Sequence, residues 1–221
     1  MSNMFSQHNL HKDDFSLFTQ ADPQLRALNR YPLVFNYPEL NSIDVTVPGI
    51  YTLTGGRQIG KTTALKLWMK ATIENNFPAE AISFFTGEMI DDHYALVRII
   101  RNDLLVEIPT RSNRILILDE VTYIKDWDKG IKFLADSGEF ENVVLVLTGS
   151  DSVIIQETRK RFPGRRGKAK LVDFHLNPLS FRQVVHLRDS QTGSFLDSTK
   201  DDAINLPQPI QDKVELFFQD Y

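Results

Sequence analysis

Three features of the 221-residue chain predict an α/β fold. A glycine-rich loop pattern joins a short apolar run to a segment of helical period. A second aliphatic run ends in two acids, and further apolar runs alternate with amphipathic segments. The first feature is Leu53-Thr54-Gly55-Gly56-Arg57-Gln58-Ile59-Gly60-Lys61-Thr62-Thr63. Gly55, Gly60, Lys61 and Thr62 fill the four specified positions of the P-loop pattern G-x-x-x-x-G-K-[ST]. With glycine near 7% of residues, a chance match in a chain this long is about a 1% event.

The chemistry explains the residue types. Glycines let the backbone curl so that N–H groups from Gly55 to Thr63 point at a phosphate. Lys61 supplies an ammonium for the β- and γ-phosphates, and the Thr62 hydroxyl is a Mg²⁺ ligand. The helix that follows adds the positive end of its dipole. Context agrees, because Pro48-Gly49 is a turn signal and Ile50–Leu53 reads as a buried strand. Ala64, Leu65, Leu67, Trp68, Ala71 and Thr72 then recur at helical spacing to about Asn75.

Composition bounds the rest. The length suits one sizeable α/β domain with appendages, and 42% hydrophobic with 24% charged residues is ordinary for a globular protein. No run of 18 apolar residues and no signal-peptide pattern is present, so the expectation is a cytoplasmic chain without a membrane partner. Zero cysteines exclude disulfides and Cys-ligated metals. The net charge of −4 gives no general attraction to nucleic acid.

Residues 1–30 read as a polar segment, a frayed terminus and then a short helix near Pro23–Arg30. His8 and His11 are too few for a metal site and read as exposed. Tyr31–Pro38 reads as extended, either packed against the edge of the core or in contact with an adenine base. Ala81–Phe85 reads as a second buried strand, and Asp91–Leu105 as a helix with acids at its start.

Arg114-Ile115-Leu116-Ile117-Leu118-Asp119-Glu120 carries the second part of the chemistry. Four aliphatic residues suit a strand buried on both faces, and ligands in open α/β sheets bind at the carboxyl ends of strands. The segment has the form of a Walker B strand. Asp119 would hold Mg²⁺ and Glu120 would activate water, unless the pair only caps the next helix. An amphipathic helix is expected over Trp127–Gly138. Val143–Leu147 reads as a further buried strand, running into Thr148-Gly149-Ser150. Thr148 and Ser150 are then candidates to sense the γ-phosphate, the alternative being that Ser150, Asp151 or Ser152 caps a helix over Val153–Arg161.

The strongly basic run is Arg159–Lys170. It reads as a solvated loop, as the source of a charge-stabilising Arg165 or Arg166 acting in its own or a neighbouring subunit, or as a nucleic-acid contact. Leu171–Leu176 reads as a fifth strand, followed by a helix opened by Asn177–Phe181. Residues Asp189–Gln208 read as a mobile polar linker. Ile210–Tyr221 reads as an amphipathic helix whose Val214, Leu216, Phe217 and Phe218 call for a protein partner or a second copy of the chain.

These motifs, in this order, resemble one group. The carriers are Gly55–Thr63, Ile115–Glu120 with Asp126-Trp127, Leu147–Ser150, and Gly164-Arg165-Arg166 leading to Asn177–Phe181. Over about residues 20–190 the chain is similar to prokaryotic AAA-plus-type ATPases whose full-length members add a winged-helix segment and a restriction-nuclease-like domain. The resemblance implies a three-layer P-loop NTPase core of the additional-strand class, with parallel sheet order 5-1-4-3-2 and helical extensions. It further implies Glu120 as catalytic glutamate, Thr148–Ser150 as sensor segment, and a basic residue from Gly164-Arg165-Arg166 at the nucleotide. On this reading residues 31–188 are the core, and 189–221 are a linker with the start of a truncated helical segment. The winged-helix and nuclease-like parts would be absent. The expected activity is Mg²⁺-dependent ATP hydrolysis, with ATP and ADP as ligands, driving or gating a partner or a missing domain. The alternatives are a nucleotide-gated switch with negligible hydrolysis and, less favoured by the Asp119-Glu120 pair, a small-molecule kinase.

Overall fold

The computed structural model describes residues 4–31, 33–106, 113–149, 162, 166–198 and 206–219. Five strands, β1 (Gly49–Gly55), β2 (Ile82–Thr86), β3 (Arg114–Asp119), β4 (Val143–Gly149) and β5 (Asp173–Leu176), form one sheet. Every pairing is parallel and the order is β2-β3-β4-β1-β5, the 5-1-4-3-2 arrangement read from the other edge. Parallel strands need crossovers, and these place helices on both faces.

Strand alternation sorts the aliphatic side chains into two cores. On one face Tyr51, Leu53, Phe84, Ile115, Ile117, Val144 and Val146 meet Ala64, Leu65, Trp68 and Met69 of α3 (Lys61–Glu74). On the other, Leu116, Leu118, Leu145 and Leu147 meet Leu96 and Ile100 of α4 (His93–Leu104), and Trp127, Ile131 and Leu134 of α5 (Trp127–Asp136). The sheet is therefore a layer covered on both sides. Both faces being apolar is why β1 and β4 read as near-continuous hydrophobic runs.

The N-terminal stretch differs from the frayed segment expected. A 3₁₀ turn (Ser6–Lys12) precedes α1 (Phe15–Ala21) and α2 (Pro23–Leu28), with Phe5 and Phe18 buried. Its polar residues serve the open edge of β2. The Asn9 amide donates to the Phe84 carbonyl at 2.8 Å and accepts from the Phe84 N–H at 2.7 Å, as a neighbouring strand would. His11, expected to be exposed, is buried, with Nε2 3.0 Å from the Ile82 carbonyl. Burial lowers its pKa to about 4. Lys66 of α3 and Asp22, both with fully buried side chains, pair at 3.2 Å. The Lys66 ammonium also donates to the His8 carbonyl and lies 3.9 Å over the Phe84 ring. The segment is thereby tied to the helix that leaves the P-loop.

The chain divides into two compact units, Met1–Asn29 with Asn36–Leu176, and Arg30–Phe35 with Asn177–Tyr221. The second contains α6 (Phe181–Arg188), α7 (Ser190–Ser198) and α8 (Gln208–Gln219). The presence of α7 corrects the expectation of a linker across 189–208. Asp189 accepts from the N–H groups of Gln191 and Thr192, capping the helix. Asp197 pairs with Arg182 and His186 of α6, so the polar composition is used in pairing. Residues 199–205 lie outside the described residues. On α8, Phe218 meets Phe181 edge-on at 5.4 Å and Arg188 lies over Phe217, while Leu216 remains 57% exposed.

Candidate functional site

β1 ends at Gly55 and α3 starts at Lys61, so the P-loop spans the turn from strand to helix. Gly60 caps α3 with φ +87°, a left-handed conformation that a side chain disfavours. No side chain caps α3, which leaves its first-turn N–H groups to a ligand. Gly56, Arg57 and Gln58 form the exposed crown of the loop, while Ile59, Gly60, Thr62 and Thr63 are half-buried. Lys61 is only 4% exposed and curls back under the loop. Its ammonium donates to the carbonyls of Gly55 and Gly56 at 3.2 and 3.1 Å, and lies 3.6 Å from a Glu120 carboxylate oxygen.

Two acids come to this loop from the end of β3, with β4 lying between that strand and β1. The Thr62 hydroxyl donates to Asp119 Oδ2 at 2.6 Å, and the Thr148 hydroxyl donates to Asp119 Oδ1 at 2.5 Å. The oxygen of Thr148 also accepts from the Glu120 N–H at 3.0 Å. One hydroxyl at the end of β4 thus orders both acids at the end of β3. Glu120 itself is left-handed, with φ +50° and ψ +46°, a strained setting for a residue with a side chain. Gly87 makes room for it, because a Cβ there would stand 2.4 Å from the Glu120 carbonyl oxygen.

The structure therefore brings together Gly55, Gly56, Gly60, Lys61, Thr62, Asp119, Glu120 and Thr148. It does not bring Arg166 to them within this chain. The Arg166 guanidinium makes two bonds to Asp173 of β5, at 2.9 and 2.5 Å, and reaches Thr52 and the Val172 carbonyl. Thr52 is roughly 10 Å along β1 from Gly55 at the usual strand rise. The opposite charge at Asp173 accounts for this placement, and nothing in the linear pattern marked that pair. Ser150, Gly164, Arg165 and the helix expected over 153–161 lie outside the described residues.

Sequence reasoning missed Gly87, and it read Tyr37 only as part of an extended segment at the core edge or against an adenine base. The Tyr37 hydroxyl donates to the carbonyl of Ile59, inside the P-loop, at 3.0 Å. A tyrosine followed by proline before the first strand was the available signal. Among the described residues no cluster of three or more His, Cys, Asp or Glu side chains is placed to hold a metal. The hard oxygens of Thr62 and Asp119 are 2.6 Å apart. They suit a cation that takes one or two protein ligands and completes its shell with phosphates and water.

The model of the AAA domain family matches residues 48–185, more than half of the sequence. The chain belongs to the AAA domain family. Its P-loop ATPase domain covers all five strands and the residues just assembled. No curated protein matches the sequence. Among solved structures, the ORC1 protein of Aeropyrum pernix, in complex with DNA, matches with a TM-score of 0.52 and 15% identity, over 74% of this chain and 51% of its own. Cdc6p from Pyrobaculum aerophilum matches at 0.44 with 16% identity, over 82% of this chain and 48% of its own. A Walker-type ATPase of Pyrococcus abyssi matches at 0.48 with 14% identity, over 83% of this chain and 63% of its own. The chain spans about half the length of the first two proteins. The likeness to the first is one of fold. No helix among the described residues is long and apolar enough to cross a membrane.

Proposed function

We propose that the chain binds ATP with Mg²⁺ at the P-loop and hydrolyses it. The observation that carries this reading is the Thr62–Asp119–Thr148–Glu120 chain of hydrogen bonds beside the Lys61 ammonium. Thr62 and Asp119 would hold the cation, which supplies positive charge against the phosphate oxygens. First-turn N–H groups of α3 orient the phosphates, and the Lys61 ammonium moves from the Gly55 and Gly56 carbonyls onto them. That movement frees the Glu120 carboxylate from its ion pair. Glu120 can then accept a proton from water, while Thr148 keeps its backbone and Asp119 in register. Catalysis of this kind is positioning and charge stabilisation, with little covalent work for the protein.

An aliphatic strand ending in adjacent acids favours water activation over transfer to a small acceptor. Arg165 and Arg166 remain proposed donors of positive charge, acting at the site of a neighbouring subunit in the case of Arg166. ATP turnover would act on a protein partner or an appended C-terminal domain. The exposed apolar residues of α8 support the former. The Aeropyrum relative was solved with DNA, and the net charge of −4 argues against a general affinity of this kind here. Phosphate release from Mg·ATP, compared between wild type and Glu120→Gln, tests the reading. Turnover in the first and its loss in the second are expected. Tight binding without turnover in the wild type would favour the switch.

A further inference from the structure

Tyr37 precedes the 3₁₀ turn Pro38–Ser42, outside every motif in the chain. Its ring borders a cleft of about 250 Å³ lined by Leu40, Asn41, Ala64 and Trp68. On its other side the ring packs against the core that α3 covers, and its hydroxyl donates to the Ile59 carbonyl. The next peptide unit matters most. No peptide bond described is cis, and a trans peptide holds its C=O and the following N–H on opposite sides. Fixing the Ile59 carbonyl towards Tyr37 therefore turns the Gly60 N–H away from Tyr37 and its cleft.

Gly60 has the freedom of a left-handed glycine, so the peptide before it can turn more readily than one before a residue with a side chain. The reversed orientation would present a carbonyl oxygen where a donor is needed, and two negative partners would face each other. We propose that Tyr37 is a positioning residue for phosphate binding, fixing the Ile59–Gly60 peptide so that the Gly60 N–H is offered to a nucleotide phosphate. The inference rests on the P-loop binding a nucleotide. A phenol is already protonated at neutral pH, and burial raises its pKa further.

The test is Tyr37→Phe, which keeps the ring and removes the donor. Binding of Mg·ATP and of inorganic tripolyphosphate with Mg²⁺ is titrated for wild type and variant, with the thermal midpoint of each free protein. Both ligands are expected to bind about three- to tenfold more weakly in the variant, the worth of one hydrogen bond. Loss for ATP alone would make Tyr37 a contact to the base and overturn the proposal. A lower midpoint with unchanged affinities would make the bond structural only, and also overturn it. A wild type that binds neither ligand would defeat the nucleotide reading itself, and the proposal with it. Wild-type binding that Tyr37→Phe leaves intact defeats only the role of Tyr37.

Discussion

Glu120→Gln separates binding from chemistry at this site. The substitution preserves shape and leaves the backbone N–H that donates to Thr148, so the left-handed turn at the end of β3 should persist. What it removes is a proton acceptor, and a positioned general base is worth about 10²- to 10⁴-fold in rate. That corresponds to about 2.7–5.4 kcal/mol in the barrier. It also removes the carboxylate that rests 3.6 Å from Lys61. At an effective dielectric of ~20 the gross attraction at that separation is about 4.6 kcal/mol. Most of it is offset by desolvation, since Lys61 is 4% exposed and Glu120 19% exposed. A residual advantage of about 1 kcal/mol would tighten Mg·ATP binding up to about fivefold, because Lys61 no longer chooses between two anions. The assay is single-turnover conversion of ATP to ADP, paired with a nucleotide titration. Slow turnover with equal or tighter binding is the expected signature. Unchanged turnover would refute the role of Glu120, and weaker binding would refute the competition for Lys61.

Thr148→Val removes the hydroxyl that joins Asp119 to the Glu120 backbone. A drop in kcat of about tenfold or more, with KM for ATP changed less than about threefold, is expected in steady-state assays; an unaltered kcat would show that Thr148 does not order the acids. His11 makes stability depend on pH. Its folded pKa of about 4 lies below the unfolded value of 6.5, so its contribution is complete above pH 6.5 and is lost as pH falls towards 4. Denaturant midpoints should record a loss of about 2–3 kcal/mol between pH 7 and 4.5. The loss should shrink in His11→Gln, and an identical profile in that variant would assign it to other groups.

Local chemistry was legible wherever it is contiguous. Gly55, Gly60, Lys61 and Thr62 are recognisable because one loop must cradle one phosphate chain, and the aliphatic run ending in Asp119-Glu120 because a doubly covered strand excludes polar residues until its tip. The family resemblance carried the strand order, which periodicity alone does not contain. Contacts that cross the fold were hidden. Asn9 and His11 read as solvent-facing because polarity is the sequence mark of exposure, yet they complete the hydrogen bonding of β2. The helix α7 was hidden for a related reason, because its cap is Asp189 and its Asp197 pairs with α6. Gly87 and Thr148 matter through the backbone of Glu120, a left-handed residue whose conformation no local pattern announced. Arg166 was drawn to the nucleotide by its position in a basic run, whereas Asp173 holds it on the β1–β5 edge.

The most direct test of nucleotide binding at the P-loop is thermal unfolding with and without Mg·ATP, run beside Lys61→Ala. A ligand at 100 times its Kd that binds only the folded state stabilises it by about 2.7 kcal/mol, which raises Tm by about 5–10 °C in a chain of this size. The wild type should show that rise. In Lys61→Ala, which loses the ammonium now held by Gly55, Gly56 and Glu120, the rise should largely vanish. No shift in the wild type at millimolar ATP, or the same shift in both proteins, would contradict the account.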